Sequence, residues 1–427
     1  MPTLSEDLAF RGLIHQATDP DLMKRLDQGG MTLYAGFDPT ADSLHVGNLL
    51  QLCTLRRFQM GGHRPISLAG GGTGMIGDPG GKQDERAMLT REVLDGYLEG
   101  IRPQLGHILD LTGPTPETAA LLLDNSVWLS QLSLLEFLRH VGKHFTINQM
   151  VTKDSVRTRF ERPDQGISYT EFSYMLLQAY DFLRLHLDHG CDLQIGGSDQ
   201  WGNITMGVEL IRKVCGDEAW GLTTPLVVKP DGTKYGKTET GTVWLDARRT
   251  SPFAMYQFFF NSPDAVVGGY LRFFSFLEHA AIEELDAETA DHPERRLAQK
   301  ALARSVVALV HGQDEVARCE EASAALFGEE IAALSEEMLL AVTEDAPSTD
   351  VPRRELAGGL TLVDALVRTG LAASRGEARR AIEGGAANVN NRRQADPAQV
   401  LGPDDLLHDR YLVLRKGRRE VHVIRAV

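Results

Sequence analysis

Residues 33–48 read Leu-Tyr-Ala-Gly-Phe-Asp-Pro-Thr-Ala-Asp-Ser-Leu-His-Val-Gly-Asn, an apolar run, a polar turn and the beginning of a helix. We expect a strand over 33–37 and a turn over 38–43. Ser43 is predicted to cap a helix from Leu44 to about Gln59, because a serine oxygen can accept a hydrogen bond from an exposed N–H of the first turn. A strand that leads through a turn into a helix is typical of an α/β domain.

The same alternation continues further along the chain. Strands are predicted at 65–69, near 121–129 and at 193–197. Helices are predicted over much of 90–110, around 132–141 and over 170–187. Strands that alternate with helices predict an α/β fold with a doubly wound parallel sheet, which is a Rossmann-like architecture.

The pattern divides the chain into four parts. Residues 1–228 are predicted to form the Rossmann-like domain. Residues 229–342 hold a lysine-bearing loop and an α-helical domain, with helices over 253–260, 270–278 and 293–327. Residues 343–353 are predicted to be a linker, because 343–350 is polar and contains Pro347. Residues 354–427 are predicted to be a small α+β domain.

Charge is distributed unevenly along the 427 residues. The net charge of the chain is −15, but residues 351–427 hold 14 Lys and Arg against 9 Asp and Glu, which is +5. The remainder then holds 30 basic and 50 acidic residues, which is −20. A basic C-terminal region on an acidic body points mildly to a nucleic acid partner, although a solvated charged surface explains charge alone equally well.

Membrane insertion, disulfides and zinc are not expected. No apolar run is long enough to span a bilayer, and the first residues lack the apolar core of a signal peptide. Cys53, Cys191, Cys215 and Cys319 are scattered, and no CxxC pair occurs. A cytoplasmic location is therefore the default expectation.

His45, Gly47 and Asn48 lie where a helix N-terminus is predicted. Unpaired N–H groups and a partial positive charge make such a terminus a binding site for phosphate. His45 and Asn48 are three residues apart and both can donate a hydrogen bond, whereas Gly47 allows a flat base to approach the backbone. Alone, this pattern fits a capped helix with an incidental histidine better.

The glycine-rich turn at 70–81 contains Gly72-Thr-Gly-Met-Ile-Gly77, which matches GxGxxG. A dinucleotide site would also need a helix directly after it and an acidic residue about 20 positions on, and the sequence favours neither. A carboxylate at a strand's end, Asp78, suits a ligand ammonium group. Lys82 and Arg86 can meet phosphate, although a solvated basic pair fits as well.

A polar stripe follows one face of the helix predicted at 170–187. Tyr174, Gln178 and Asp181 are spaced i, i+4 and i+7. Phe172, Leu176, Ala179 and Leu183 occupy the opposite face and are expected in the core. Because apolar residues also flank the stripe, the helix is expected to be buried nearly all round, and its polar groups favour a pocket for a polar small molecule.

Residues 229–241 place Lys234 and Lys237 between glycines. Such a loop can act as a lid whose ammonium groups hold pyrophosphate, although an exposed turn fits as well without further support.

Five runs of this sequence resemble the bacterial tyrosyl-tRNA synthetase family, a branch of the class I aminoacyl-tRNA synthetases. The runs are 34–45, 74–79, 174–181, 196–203 and 234–238, and the likeness covers nearly the whole chain. Residues 44–48 and 234–238 correspond to the motifs written HIGH and KMSKS. Here Asn48 stands for the second histidine of the family, and asparagine still offers an N–H donor.

The resemblance implies that residues 1–228 form the catalytic domain that binds tyrosine and ATP, with a role for each matching residue. Tyr34 and Asp181 would hydrogen-bond the tyrosine hydroxyl, which needs one donor and one acceptor. Asp78, Tyr174 and Gln178 would hold its ammonium group, with Gln200 near its carboxylate. The implied ATP-binding residues are Gly36, Asp38, Thr40, His45, Gly47, Gly197, Asp199 and Lys237. The implied catalytic residues are His45, Asn48, Lys82, Arg86, Lys234 and Lys237.

Residues 354–427 resemble an RNA-binding module shared with a small-subunit ribosomal protein, which implies a small basic RNA-binding domain. Ser374 and Glu377 form a capping-box pattern that starts a helix at Arg375, which Gly384 and Gly385 end. Asn390-Asn391 predicts a tight turn and 415–419 a basic hairpin. The expected RNA contacts are Arg375, Arg379, Arg380, Arg415, Lys416, Arg418 and Arg419.

The expected activity is the joining of tyrosine to its tRNA through tyrosyl-adenylate, with ATP as substrate, Mg²⁺ accompanying the ATP and no metal bound by the protein itself. The family implies a homodimer, and the helix around 134–141, with Phe137 and Leu138, is one possible interface. Two alternatives stay open, a dinucleotide-dependent oxidoreductase and an RNA-binding scaffold without activity.

Overall fold

The computed structural model describes residues 2–78, 89–153, 156–157, 166–227, 242–327, 329–343, 346–417 and 420–427. The chain folds into two compact units. The first comprises residues 1–250 and 258–310, and the second comprises 251–257 and 311–427.

The first unit is built on a single sheet. Its strands are β1 (Gln16–Ala17), β2 (Thr32–Phe37), β3 (Arg64–Ala69), β4 (Leu121–Asp124), β5 (Cys191–Gly197) and β6 (Trp220–Thr224). Their order is β1-β6-β5-β2-β3-β4, with β2 to β6 parallel and β1 antiparallel to β6. The chain runs outward from β2 to β4 and then returns to β5 on the other side of β2. This is the predicted doubly wound parallel sheet.

Helices α1 to α13 follow in chain order, and α10 is divided between the two units. They are α1 (Leu4–Phe10), α2 (Leu22–Leu26), α3 (Val46–Met60), α4 (Arg91–Ile108), α5 (Ser126–Leu129), α6 (Leu134–His140), α7 (Ile147–Val151), α8 (Tyr169–His189), α9 (Trp201–Val214), α10 (Pro252–Phe260), α11 (Asp264–Phe274), α12 (His279–Asp291) and α13 (Leu297–His311).

Helix α8 contributes many buried side chains to the core of the first unit. The four residues predicted to face the core, Phe172, Leu176, Ala179 and Leu183, are all at most 9% exposed. They pack in one apolar cluster with Tyr34 of β2 and residues of β3 and α9. Gly190 ends the helix at a φ of 61°, a conformation that glycine adopts without a steric cost.

Two predicted elements in the first unit have wrong boundaries. The strand predicted near 121–129 ends at Asp124, and 126–129 form the short helix α5. The helix predicted at 270–278 is α11, which ends at Phe274. At this end the Ser275 carbonyl accepts hydrogen bonds from the buried Arg11 and Arg57, and such tertiary contacts leave no periodic signal in sequence.

Ser43 does not cap the first long helix. Its Oγ accepts from the Asp246 amide at 3.1 Å and donates to the Leu44 carbonyl at 2.8 Å. The N-cap of α3 is His45, whose Nδ1 accepts from the Gly47 amide at 3.0 Å. Ser43 is thus used to hold a segment 203 residues away in sequence, and the histidine ring takes the capping role.

The second unit contains a mixed sheet. Its strands are β7 (Ser348–Val351), β8 (Leu360–Thr361), β9 (Ala387–Val389), β10 (Arg392–Arg393), β11 (Val400–Leu401), β12 (Tyr411–Lys416) and β13 (Glu420–Ala426). Five of them pair in the order β10-β9-β12-β13-β7, and β8 pairs with β11. Its helices after α10 are α14 (Gln313–Phe327), α15 (Glu336–Val342), α16 (Arg353–Ala357), α17 (Leu362–Arg368) and α18 (Arg375–Glu383).

The predicted linker at 343–353 contains strand β7, so it does not simply connect two domains. Strand β7 pairs in parallel with β13, with Ser348 opposite Val423. Because it is an edge strand with one exposed face, its composition of Ser, Thr and Asp resembles that of a loop. The single helical stretch predicted at 293–327 is also interrupted, since Gly312 has a φ of 96° between α13 and α14.

Most local predictions for the C-terminal region are confirmed, but the capping box is only half formed, because Glu377 Oε2 accepts from the Ala373 amide and not from Ser374. Helix α18 begins at Arg375, where Ser374 Oγ accepts from the Glu377 amide, and Gly385 follows its end with a φ of 69°. Asn390 and Asn391 have φ values of 49° and 63°, which gives the tight turn between β9 and β10. Strands β12 and β13 form the predicted hairpin.

Candidate active site

A cavity of about 310 Å³ lies at the carboxyl ends of β2 and β5. These neighbouring strands are the point at which the chain reverses direction across the sheet. The loops that leave such a pair diverge to opposite faces, so a crevice forms between them.

The cavity gathers most of the predicted site. The predicted residues that line it are Tyr34, Gly36, Asp38, His45, Gly47, Asn48, Asp78, Tyr174, Gln178, Asp181, Gly197, Asp199 and Gln200. Thr40 is exposed and is not among the described lining residues. Lys82, Arg86, Lys234 and Lys237 lie outside the described residues.

Tyr34 and Asp181 line the cavity and are 1% and 2% exposed. The Tyr34 hydroxyl is buried without a hydrogen-bond partner among the described residues. A buried hydroxyl left unpaired costs free energy, so it marks a place for a polar group of a ligand. Burial raises the pKa of Tyr34 well above its usual value, which keeps the hydroxyl protonated and able to donate.

Asp181 is held by two donors that sequence reasoning missed. Asn125 Nδ2 donates to Asp181 Oδ2 at 2.8 Å, and Trp128 Nε1 donates to Oδ1 at 2.7 Å. Burial raises the pKa of Asp181 to about 7, and these two hydrogen bonds act in the opposite direction. The position of Asn125 directly after strand β4 was the available signal, since the carboxyl ends of parallel strands line one crevice.

The glycine-rich turn forms hydrogen bonds with other residues that line the cavity. The Gly72 amide donates to Asn125 Oδ1 at 2.7 Å, and Thr73 Oγ1 donates to Asp38 Oδ1 at 2.7 Å. A single 3-10 turn, Thr73–Met75, follows Gly72 instead of the α-helix that a dinucleotide fingerprint requires. The turn therefore shapes the cavity wall, and the oxidoreductase alternative loses its main support.

A chain of amides and carboxylates lines the middle of the cavity. Gln200 Nε2 donates to Asp78 Oδ2 at 2.6 Å, and Gln178 Nε2 donates to Gln200 Oε1 at 3.2 Å. Asn203 Nδ2 donates to the oxygens of Gln178 and Gln200. Tyr174 donates to Asp38 Oδ2 at 2.8 Å. Asp78, Asp38 and Gln178 place several acceptor oxygens here, which suits a ligand ammonium group.

The N-terminus of α3 forms another wall of the cavity. Asn48 Oδ1 accepts from the His45 amide at 3.1 Å, which leaves the Asn48 Nδ2 group as a donor. Burial lowers the pKa of His45, so the ring is neutral near pH 7. Because Nδ1 accepts from Gly47, the proton is on Nε2, and His45 can donate a hydrogen bond to a ligand anion.

Several residues predicted to contact RNA form salt bridges within the second unit. Arg375 pairs with Asp364 at 2.6 Å, and Lys416 pairs with Glu377 at 2.8 Å. Arg415 is 7% exposed. Arg379 and Arg380 are exposed on α18, as are Arg392 and Arg393 of β10, which sequence reasoning did not include. Arg418 and Arg419 lie outside the described residues.

Elsewhere in the first unit, His186, Cys215 and Asp217 are the group of potential metal ligands found among the described residues. The His186 ring is hydrogen-bonded at both nitrogens, to the Cys191 carbonyl and to Asp217. The second of these bonds accounts for the closeness of His186 and Asp217. All four cysteines are free thiols, and none of the described helices has the length and apolar character needed to cross a membrane.

Two family profiles match the chain. Residues 26–328 match tRNA synthetases class I (W and Y), and residues 341–424 match the tyrosine–tRNA ligase SYY-like C-terminal domain. Together the two profiles span the cavity and the C-terminal sheet.

Curated relatives are similar over their full length. A tyrosine–tRNA ligase of Roseiflexus castenholzii is 54% identical across all of both chains. One from Bacillus velezensis is 48% identical over 99% of this chain and all of its own.

Among solved structures, a C-terminally truncated mitochondrial tyrosyl-tRNA synthetase of Aspergillus nidulans is 34% identical with a TM-score of 0.69, covering 77% of this chain and 95% of its own. A tyrosyl-tRNA synthetase from Archaeoglobus fulgidus, at 18% identity and a TM-score of 0.54 over 74% of this chain and 99% of its own, shares the fold. The chain therefore belongs to the class I tRNA synthetases, among the bacterial tyrosine–tRNA ligases.

Proposed function

We propose that this chain activates L-tyrosine with ATP to give tyrosyl-adenylate and pyrophosphate, and then transfers tyrosine to the 3′-terminal ribose of its tRNA. The observation that carries the proposal is the buried pair of Tyr34 and Asp181 in the cavity. One is a donor without a partner, and the other is a carboxylate held in place by two N–H groups. A phenol hydroxyl, which both donates and accepts, satisfies both.

The remaining polar groups fit the other end of the substrate. We assign the ammonium group to Asp78, Tyr174 and Gln178, and the carboxylate to the neighbourhood of Gln200. In the structure Gln200 donates to Asp78. Binding of the ammonium at Asp78 would release the Gln200 amide for the substrate carboxylate, so one exchange of partners satisfies both charged groups.

ATP is assigned to the N-terminal end of α3 and the ends of β2 and β5. His45, Asn48 and the amides of the first helical turn face phosphate, and Asp199 is assigned to the ribose. Gly36, Gly47 and Gly197 allow the nucleotide to approach the backbone. Thr40 remains a proposed contact from the resemblance, as do Lys82, Arg86, Lys234 and Lys237. Mg²⁺ is proposed to accompany the phosphates, because its preferred ligands are oxygens.

The first step joins the tyrosine carboxylate oxygen to the α-phosphorus, and the bond to the bridging oxygen of pyrophosphate breaks. The carboxylate is already anionic, so no general base is required. Catalysis then consists of positioning and electrostatic stabilisation. In the second step a hydroxyl of the terminal tRNA ribose attacks the carbonyl carbon, and AMP leaves as the hydroxyl proton is lost.

The test is ATP–pyrophosphate exchange, with tyrosine, phenylalanine and tryptophan assayed separately in the presence of Mg²⁺. Exchange with tyrosine is expected at a rate far above the rates with phenylalanine and tryptophan. If folded protein gives exchange with none of them, the proposal is contradicted, and an RNA-binding scaffold without activity becomes the favoured function.

We propose that tRNA contacts the predicted basic residues other than the buried Arg415, and also Arg392 and Arg393 of β10. Arg379, Arg380, Arg392 and Arg393 are exposed, and Arg393 lies against Gly384 at the end of α18. Arginines that meet phosphate position an RNA without reading its bases.

Replacing Arg379 and Arg380 together with alanine is expected to raise the KM for tRNA roughly tenfold, because two phosphate contacts are lost. The slope of log K against log[salt] should become less steep by about two. Tyrosine-dependent exchange should stay at the wild-type rate. Arg318→Ala, an exposed arginine on α14, is the matched control, and an equal effect from that control would show that only general charge matters.

We propose that the chain is a homodimer that uses the outward face of α6. Leu134, Leu135 and Leu138 are 67%, 79% and 44% exposed. Phe137, named earlier as a possible interface residue, is 9% exposed and packs in the core cluster. Exposed leucines on one helical face are costly in a monomer, and a second copy would cover them.

Leu135→Glu is expected to convert the dimer to a monomer, because a charge would be buried at the interface without a partner. Sedimentation at micromolar concentration measures the change. Leu187→Glu is the control, since Leu187 is also exposed, at 57%, but lies on α8. A wild-type protein that sediments as a monomer at these concentrations would rule out the interface.

We propose that residues 1–228 carry tyrosine and ATP binding, that 229–342 hold the lysine loop and helices, and that residues after 354 carry RNA binding. The reaction is placed in the cytoplasm, where ATP and tRNA are found.

A further inference from the structure

The segment Val243–Leu245 lies against the start of α3. His45 and Trp244 form an antiparallel β-bridge. The Val46 amide donates to the Val243 carbonyl at 3.1 Å, and the Leu245 amide donates to the Leu44 carbonyl at 2.8 Å. Backbone hydrogen bonds therefore flank His45 on both sides, and they fix its backbone in register with Trp244.

The Trp244 ring also contacts the His45 ring. Their centroids are 6.1 Å apart at an interplanar angle of 61°, an edge-to-face arrangement. The other restraint on the imidazole is its Nδ1, which accepts from the Gly47 amide. The Gly47 amide thus restrains Nδ1, and the indole restrains the ring. Together the two contacts limit rotation of the imidazole and set the direction of Nε2–H.

Trp244 is itself fixed by its surroundings. The Arg249 guanidinium lies 4.6 Å from the indole centroid, and Arg249 Nε pairs with Asp42 Oδ1 at 2.5 Å. The Trp244 amide donates to Thr250 Oγ1 at 3.0 Å. Asp42 belongs to the turn before α3, so the indole is held by the same part of the chain that carries His45.

We propose that Trp244 is a positioning residue for His45 in the activation step. This inference rests on the proposed function, in which His45 Nε2 donates to the phosphates of ATP. A donor acts on a transition state only when its direction is set beforehand, and a misplacement of about 1 Å can lower a rate roughly 100-fold. The tryptophan acts through the histidine and does not contact the reacting atoms.

The experiment compares Trp244→Ala, Trp244→Leu and Trp244→Phe in the full chain by tyrosine-dependent ATP–pyrophosphate exchange. Alanine and leucine should lower kcat roughly ten- to 100-fold, with the KM for tyrosine changed less than about twofold. Phenylalanine keeps an aromatic edge and should restore most of the rate. In a His45→Ala background, Trp244→Ala should lower kcat by no more than about twofold, because the group that it positions is gone.

The double-mutant cycle separates the inference from a general structural role. The positioning role is overturned if Trp244→Ala lowers kcat by the same factor in the His45→Ala background as in the wild type. It is also overturned if Trp244→Ala raises the KM for tyrosine as strongly as it lowers kcat. An unchanged kcat in Trp244→Leu overturns it as well. Leucine fills much of the indole volume, so this variant decides the question if the alanine variant does not fold. Absence of exchange in the wild-type chain would instead refute the proposed function.

Discussion

Replacing His45 with alanine is expected to lower the kcat of tyrosine-dependent ATP–pyrophosphate exchange by about 100- to 1,000-fold. The neutral ring carries its proton on Nε2, since Nδ1 accepts from the Gly47 amide. The donor is already oriented where negative charge builds on the phosphates, so its contribution appears mainly in the transition state. The KM for tyrosine should change little, because Tyr34 and Asp181 are intact.

The alanine substitution also removes the N-cap of α3, which costs about 1 kcal/mol of stability. His45→Asn separates the two effects, because asparagine can cap the helix but does not carry a donor at the position of Nε2. We expect His45→Asn to keep the thermal midpoint and to lose most of the rate. His107→Ala, an exposed histidine on α4, should leave both unchanged. Near wild-type activity in His45→Asn would mean that capping, and not donation, is what His45 provides.

Replacing Asp181 with asparagine is expected to reduce kcat/KM for tyrosine by about 100-fold, with little effect on the slow reaction of phenylalanine. Both carboxylate oxygens accept hydrogen bonds, from Asn125 and Trp128. Asparagine has one acceptor oxygen, so its NH₂ group would face an N–H donor, and the phenol hydroxyl would lose its anionic acceptor. The measurement is the ratio of kcat/KM values for tyrosine and phenylalanine, which should fall.

Two variants control this result. Tyr34→Phe removes the unpaired hydroxyl alone and should lower the same ratio by about tenfold. Asp188→Asn changes an exposed carboxylate two turns further along α8 and should have no effect. An unchanged ratio in Asp181→Asn would remove the basis for assigning the phenol to this part of the cavity.

The pKa of Asp181 gives a second readout on the same variant. Burial raises that pKa from 3.8 to about 7, so the folded state binds the proton more tightly than the unfolded state does. The resulting stability is present below about pH 4 and is lost as the pH rises through 7. From pH 5 to pH 8, the wild-type free energy of unfolding should therefore fall by about 2–3 kcal/mol relative to Asp181→Asn. Denaturation by urea at the two pH values measures the difference.

Much of the site was predictable because its residues lie at regular spacings along helices and strands. The spacing of Tyr174, Gln178 and Asp181 on one helical face identified a polar stripe, and the apolar residues around it indicated that the stripe faces a pocket. His45 and Gly47 could be placed at a helix N-terminus from a strand, a turn and the beginning of apolar periodicity. These inferences depend on neighbours within about two turns of the chain, whose relative positions the local conformation sets.

Sequence reasoning failed where a partner lies far along the chain. Asn125 and Trp128 join Asp181 across 56 and 53 positions. The place of Asn125 after β4 indicates only the edge of the sheet on which it lies, and no local pattern indicates that either residue donates to Asp181. Ser43 was predicted to cap a helix because it precedes one, yet its Oγ accepts a hydrogen bond from the Asp246 amide. Residues 348–351 looked like a linker, because an edge strand needs few apolar residues.

The sequence by itself determined the alternation of strands and helices, the family resemblance and the polar side chains that line the cavity, because periodicity and short motifs are local properties. The tertiary structure alone decided which donors hold Asp181, which hydroxyl is left for the substrate, which nitrogen of His45 carries the proton and that Trp244 lies against that ring. Those features depend on distances between segments up to 200 residues apart. Such distances are set by how the sheet and its loops close around the cavity, and no stretch of sequence contains them.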